Sequence, residues 1–331
     1  MSVTGNTVLI VSGHGDLHAE AMAAVLQNEY GIVPYQLSMR EFPSVDQATF
    51  AMTEGGAQRV YNSSNGRLDL QGVRSIWWRR PENCYTPQVF GGFDRGEFIQ
   101  AECDHFLQGV LWSHDCLWVN NPMQEVFASR KVVQLSKARD AGLRVPKTLI
   151  TNNPDEARAF IEALPGRAIF KRTGSSPGPA AKTKFVTLDT LQNLKAISSS
   201  PTTFQEYVEG SADLRVVWID GDLWAVSIDS QASTTPEDCR FDYSVTYAPH
   251  VLPHSVQRSL TLYLSRLGLV YGAVDLRIGD DGEYYFFEVN PSGQFAFLEV
   301  KTGLPLMSAL AAVLARGASK ANKTARQAAS A

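Results

Sequence analysis

The stretch that most constrains this chain is 271–297, YGAVDLRIGDDGEYYFFEVNPSGQFAF. Two runs rich in β-branched and aromatic residues flank Asp281-Gly282, the strongest short-range signal for a two-residue hairpin turn. With that turn, Asp280 faces Glu283, Arg277 faces Phe286, Asp275 faces Glu288 and Ala273 faces Asn290. Alternation along each strand then predicts a core face of Val274, Leu276, Ile278, Tyr285, Phe287 and Val289. The opposite face carries Asp275, Arg277, Glu288 and Asn290. Like charges directly across a strand pair destabilise a sheet, so Asp275 against Glu288 requires compensation. A divalent cation supplies it, because two carboxylates and an amide oxygen are hard ligands of the kind Mg²⁺ takes alongside phosphate oxygens and waters. Arg277, on the same face, supplies it equally by pairing with the acids. A three-residue loop would change the parity and remove the facing pair.

At 331 residues the chain suits two or three packed subdomains. A net charge of −4 gives no electrostatic reason to expect nucleic acid as partner. The cysteines at 84, 103, 116 and 239 have no C-x-x-C spacing, which fits reduced thiols in a cytoplasmic protein. No apolar run is long enough for a membrane span, and the start has no basic region of a signal peptide. The opening reads as strand 7–12, helix 17–28 and strand 33–37, a βαβ unit of an α/β fold with a parallel sheet. His14 and His18 could share a helix face, where a solvated pair is favoured over a metal site. The stretch 50–70 is a polar excursion, and 72–81 is a buried strand ending in Arg79-Arg80-Pro81. Those arginine forks suit carboxylates or phosphates, or pair structurally with an acid such as Glu82. A helix spans 124–141, closed by Gly142. Strands follow at 144–150, 167–172 and 183–188, with a small-residue loop from Thr173 between the last two. Ser255 caps a helix whose stripe is Val256, Leu260, Leu264 and Leu267. The segment 230–253 reads as a mobile substrate loop, 304–314 as a final helix, and 317–331 as a disordered tail.

Asp275-Leu276-Arg277 followed by Glu288-Val289-Asn290-Pro291 resembles the C-terminal metal motif of ATP-grasp carboxylate–amine ligases. Pro291-Ser292-Gly293-Gln294-Phe295, with Lys301-Thr302-Gly303-Leu304-Pro305, resembles more particularly the microviridin-type graspetide synthetases. Those enzymes close ester or amide links between side chains of a ribosomal precursor peptide. The resemblance implies an N-terminal α/β domain over 1–122, a central ATP-grasp subdomain over 123–203 and a C-terminal subdomain over 204–316. It implies ATP and Mg²⁺ as cofactors, with the metal on Asp275, Glu288 and Asn290. Lys131 and Lys171 match the phosphate-binding lysines, although a solvated Lys131 is the plain alternative. Ser175 and Ser176 lie in the loop that could cover the phosphates. Glu206, Tyr207 and Val208 match the backbone that reads adenine, and Glu209 or Asp213 the acid that takes the ribose. Arg215 matches the catalytic arginine near the transferred phosphoryl group; the alternative is pairing with Asp213 or Asp229. Arg79, Arg80, Arg277 and Gln294 are candidate substrate contacts. The partner implied is a leader-plus-core peptide, with neither nucleic acid nor membrane. Similar enzymes are often homodimers, and the residues here leave that open. Two other readings are a ligase adding a free amino acid and a nucleotide-binding relative without ligase activity.

Overall fold

The computed structural model describes residues 7–85, 93–174, 183–233 and 245–317. Ser175 and Ser176, residues 234–244 of the expected substrate loop and the tail from 318 onward lie outside the described residues. The chain divides into two units, Met1–Pro122 with Pro305–Ala331, and Met123–Leu304.

In the first unit, β1 (Thr7–Ser12) leads into α1 (Leu17–Tyr30) and β2 (Tyr35–Leu37). The Asp16 side chain accepts from the His18 N–H and caps α1, and Gly31 closes it in the left-handed conformation. The polar excursion is a small antiparallel sheet of β3 (Gln47–Thr53), β4 (Gly56–Ser63) and β5 (Gly66–Asp69). Then come β6 (Val73–Arg79), α2 (Phe93–Trp112) and β7 (Leu117–Val119). The parallel sheet runs β2-β1-β6-β7. Its core gathers Leu9, Ile76, Trp78, Leu107 and Trp118.

The second unit begins with α3 (Pro122–Ala128) and α4 (Lys131–Asp140), where the sequence suggests one continuous helix. Ser129 Oγ donates back to the Val126 carbonyl at 2.8 Å, and Arg130 adopts extended ψ. Such local side-chain bonding competes with the helix ladder, and the break makes Lys131 the first residue of α4. Next come β8 (Thr148–Thr151), α5 (Pro154–Glu162), β9 (Ala168–Arg172), β10 (Lys184–Phe185), α6 (Leu188–Gln192) and β11 (Thr202–Glu206). The expected strand 183–188 is thus only two residues long, because Thr187 caps α6. These strands form an antiparallel sheet, β10-β9-β11-β8.

The rest of this unit is β12 (Gly210–Ile219), β13 (Asp222–Ile228), β14 (Tyr247–His250), α7 (His254–Arg266), β15 (Tyr271–Gly279), β16 (Tyr284–Asn290) and α8 (Ala296–Thr302). Helix α7 begins at His254 after Pro253, with no side-chain cap, so Ser255 is not its cap. The antiparallel sheet runs β14-β13-β12-β15-β16. Its core combines Val216, Trp218, Leu260, Leu264, Val274, Leu276 and Phe286. In the first unit, α9 (Leu306–Arg316) packs on α1 and β6, with Arg74 Nη1 and Ser75 Oγ donating to its Ala315 and Leu314 carbonyls. The sequence reading places this helix with the C-terminal subdomain; its apolar stripe Leu306, Leu310 and Leu314 is buried in the first unit instead.

The β15–β16 hairpin differs from the expected one in two ways that cancel. Gly279 N donates to Glu283 O at 2.9 Å, so the loop has three residues, with Gly282 at φ +76°. The register pairs Arg277 with Tyr285 and Leu276 with Phe286, then shifts before Asp275 meets Glu288. Phe287 is the extra residue of a bulge. The loop changes the parity and the bulge restores it. Consequently Phe286, not Phe287, is fully buried in the core.

Candidate active site

The site grows from one row across the sheet. Arg215 on β12 lies opposite Asp275 on β15, which lies opposite Glu288 on β16. Arg215 Nη1 donates to Asp275 Oδ1 at 2.6 Å. Lys131, at the start of α4, donates to Glu288 Oε2. The row therefore reads positive, negative, negative, positive, and two cations compensate the facing carboxylates. Neither is Arg277. That guanidinium sits in the next row, sends Nε and Nη2 to Asp213 at 2.6 and 2.9 Å, and sends Nη1 to the Val208 carbonyl at 3.1 Å. At 4% exposed, with both Asp213 oxygens held, Arg277 faces protein and not solvent.

Burial opposes ionisation of Glu288, but the charges of Lys131 and Lys171, the Lys131 hydrogen bond and Arg215 outweigh it. They hold its carboxyl down to about 2. Asp275 moves the other way: burial and the neighbouring Glu288 charge raise it against the pull of Arg215. Asn290 follows Glu288 by two along β16, opposite Ala273, and its Oδ1 accepts from Ser292 N at 3.2 Å. Beyond it the chain is pinned by Tyr271 Oη to the Gly293 carbonyl at 2.8 Å, and by Arg215 Nη2 to the Gln294 carbonyl at 3.3 Å. The contact at Gln294 is thus made by its main chain. Gly293 has no room for a side chain: a Cβ would lie 2.6 Å from Ala273 Cβ and 2.7 Å from Arg215 Nη2.

Lys171 on β9 donates to Gln205 Oε1 at 3.1 Å and lies 5.7 Å from the Phe287 ring centre. Arg277 lies 5.6 Å from the same ring and 5.3 Å from that of Tyr207. The bulge places Phe287 beside these cations. Glu206 N donates to the Lys147 carbonyl, and Lys147 N donates to the Glu206 carboxylate, at 2.8 Å, rather than to its carbonyl. The β8–β11 ladder ends at that exchange. Glu209 pairs with Arg167 at 2.7 Å on an exposed edge. In the first unit, Arg79 is 1% exposed and pairs with Asp16 at 3.2 Å. Glu82 pairs with Arg40, not with the Arg79-Arg80 tip. Arg80 is exposed, with φ +46°.

His18 is not the solvated partner of His14 that helix spacing suggests. His14 bonds Glu41, whereas His18 is half-buried beside Asp16. Burial, then the charges of Arg79 and Arg80, pull its pKa from 6.5 to about 4, against Asp16. The native state then binds fewer protons than the unfolded chain between those values, so acidification through this window destabilises the fold. Urea midpoints of His18→Asn are expected to fall less than wild-type midpoints between pH 6.5 and 4.

Sequence reasoning missed three residues of the site. Gln134 bonds the β16 main chain, Phe287 is delivered by a bulge, and Tyr271 anchors the loop after Asn290. Only Gln134 left a trace, three residues after Lys131 and so on the same helix side. Among the described residues no three His, Cys, Asp or Glu side chains gather around a metal position. The fit for a divalent cation rests on Asp275, Glu288 and the Asn290 amide, all oxygen donors, with Arg215 and Lys131 already balancing the two charges. That set suits Mg²⁺, which takes one or two carboxylates and completes its shell with phosphate oxygens and water.

No family model and no curated protein matches the chain. Solved structures do, over nearly their whole length. The chain has the ATP-grasp ligase fold, and its structural neighbours include macrocyclases and RiPP-associated ATP-grasp ligases. Macrocyclase MdnB from Microcystis aeruginosa MRC is 27% identical, with 93% of this chain and 99% of that one covered and a TM-score of 0.77. The Chryseobacterium gregarium RiPP-associated ATP-grasp ligase, in complex with ADP and a leader and core peptide, is 23% identical. Its TM-score is 0.85, with 94% and 97% covered. The ATP-grasp ligase PsnB, complexed with a phosphomimetic variant of its minimal precursor, Mg and ADP, is 23% identical at a TM-score of 0.78, with 94% and 98% covered.

Proposed function

We propose that this chain is an ATP-dependent ligase that cross-links side chains of a ribosomal precursor peptide. The observation that carries the reading is the facing pair Asp275–Glu288, flanked by Arg215 and Lys131. The likeness to a macrocyclase bound with its precursor peptide, and to a RiPP-associated ligase bound with a leader and core peptide, supports a peptide substrate. An Asp or Glu carboxylate of the peptide attacks the γ-phosphorus of ATP; the bond to ADP breaks and an acyl phosphate forms. A Ser or Thr hydroxyl, or a Lys amine, then attacks the acyl carbon. Phosphate leaves with the electron pair, and the nucleophile's proton passes to phosphate or solvent. The product is an ester or an amide.

Mg²⁺ bound at Asp275, Glu288 and Asn290 supplies neutralisation of the phosphate charge. The chain's own residues do the rest. Arg215, held by Asp275, presents a planar cation where charge develops on the transferred phosphoryl group. Lys131 and Lys171 bind phosphates as compact charges. Main chain at Glu206 to Val208 takes the adenine edge, which accords with the Glu206 side chain replacing its own carbonyl in the ladder. Glu209 is the acid for the ribose, because its pair with Arg167 is solvent-exposed whereas Asp213 is held by the buried Arg277. Ser175 and Ser176 cover the phosphates in this reading, and Arg79 and Arg80 are assigned no substrate contact.

Mass spectrometry of a candidate precursor peptide incubated with the protein, ATP and Mg²⁺ tests the proposal. The expected result is loss of about 18 Da, one water, per link, with one ADP formed each time. A mass gain equal to an amino acid would replace this reading with the free-amino-acid ligase. ADP release without any change in the peptide would overturn cross-linking.

A further inference from the structure

Strand β16 is the edge of its sheet, so the outward N–H and C=O of Val289 have no strand neighbour. The Gln134 amide takes that place. Its Nε2 donates to the Val289 carbonyl at 2.8 Å, and its Oε1 accepts from Val289 N at 3.3 Å. The second Nε2 hydrogen goes to the carbonyl of Ala128, the last residue of α3, at 2.7 Å. The side chain is 3% exposed, and both donors and its acceptor are used. One amide thus joins the end of α3, the first turn of α4 and the strand position beside Glu288. Asparagine is one methylene too short for this bridge, glutamate lacks both donors, and methionine lacks all three groups.

We infer that Gln134 is a positioning residue that holds Glu288 and Lys131 at a set spacing for the metal and nucleotide. This rests on the functional reading above. Helix α4 and strand β16 are tied twice, by the Lys131–Glu288 ion pair and by Gln134. When Glu288 turns to a metal and Lys131 to a phosphate, the ion pair no longer ties them. The uncharged Gln134 bridge does not depend on either ligand and keeps the two elements in register. Outer residues that orient metal ligands typically change metal affinity about 10- to 100-fold when removed.

The test compares wild type, Gln134→Met and Leu260→Val, the last a variant of the same core on α7 that takes no part in the Gln134 hydrogen bonds. Two quantities are measured: amide hydrogen exchange at Val289 without ligand, and the Mg²⁺ concentration at half-maximal enhancement of ADP binding by calorimetry. In Gln134→Met, exchange should accelerate at Val289 but not at the central Val216 and Val274. The Mg²⁺ midpoint should rise about tenfold. Leu260→Val should move neither. A Mg²⁺ midpoint in Gln134→Met equal to wild type overturns the inference, as does an equal shift in Leu260→Val. If wild type itself binds ADP without regard to Mg²⁺, the functional reading falls, and the inference with it. The exchange result identifies that case separately, because it needs no ligand.

Discussion

Glu288→Gln is expected to abolish peptide-dependent ATP consumption, with a loss of at least about a thousandfold. The substitution conserves shape and removes one charge. In the native protein Glu288 titrates at about 2, so at neutral pH it is fully a carboxylate. It is one of only two carboxylates in the proposed metal set, and the other, Asp275, already accepts from Arg215 Nη1. A neutral amide leaves the site with a net positive balance toward a divalent cation, because Lys131 and Arg215 remain. Metal-free ADP binding should survive, since the lysines and the strand edges are untouched. Unchanged ATP consumption in this variant would sink the metal assignment. The same residue has a signature in stability. Its native pKa lies below its ordinary 4.5, so its contribution to stability is fully present above pH 4.5 and is lost as pH falls toward 2. Denaturant midpoints of wild type should fall across that window, and those of Glu288→Gln should fall less.

Arg277→Ala is expected to destabilise the second unit by about 3–5 kcal/mol, the range for breaking a buried ion pair from one side. Its fork satisfies both Asp213 oxygens and the Val208 carbonyl, with only 4% of the residue exposed. Truncation leaves the Asp213 carboxylate without its fork between β12 and β15, and removes the cation beside Tyr207 and Phe287. Lysine should recover little, because a point charge cannot make the two parallel bonds and reach the carbonyl as well. Replacing both partners, as Asp213→Leu with Arg277→Met, should restore part of the loss, since no unpaired charge remains. Thermal denaturation of the four proteins decides between a structural and a substrate role. A substrate contact would leave melting unchanged and alter only the peptide's KM.

Much of the fold was legible because it depends on short-range chemistry. The βαβ opening follows from an apolar strand, an Asp16 cap and a Gly31 stop. The facing of Asp275 and Glu288 was also read, yet by a turn that the chain does not make. Loop length and bulge position are set by how the sheet twists against its neighbours, and local sequence carries little of that. The exchange of Phe286 and Phe287 between core and site follows from the same bulge. Pairing of charges was less legible. Arg215 and Arg277 each stand two residues from an acid on their own strand, yet each pairs with the acid on the neighbouring strand, which the β12–β15 register brings opposite. The break before Lys131 was invisible for a related reason. Residues 124–141 have sound helix composition, and only the Ser129 back-bond and the contact of Gln134 with β16 favour the interruption.

By itself, the sequence determined the residue types of the site and their order. Asp275, Glu288 and Asn290 lie on one predicted hairpin, with Lys131, Lys171 and Arg215 before it in the chain, and the types and order of these candidate residues are written in the sequence. Only the tertiary structure decided which charges meet. It joined Lys131 to Glu288 across 157 positions and Arg215 to Asp275 across 60, and it placed Gln134 against an edge strand 155 positions away. The reason is that side-chain identity is local, whereas an ion pair or an edge contact exists only once packing has fixed the strand register and the helix start.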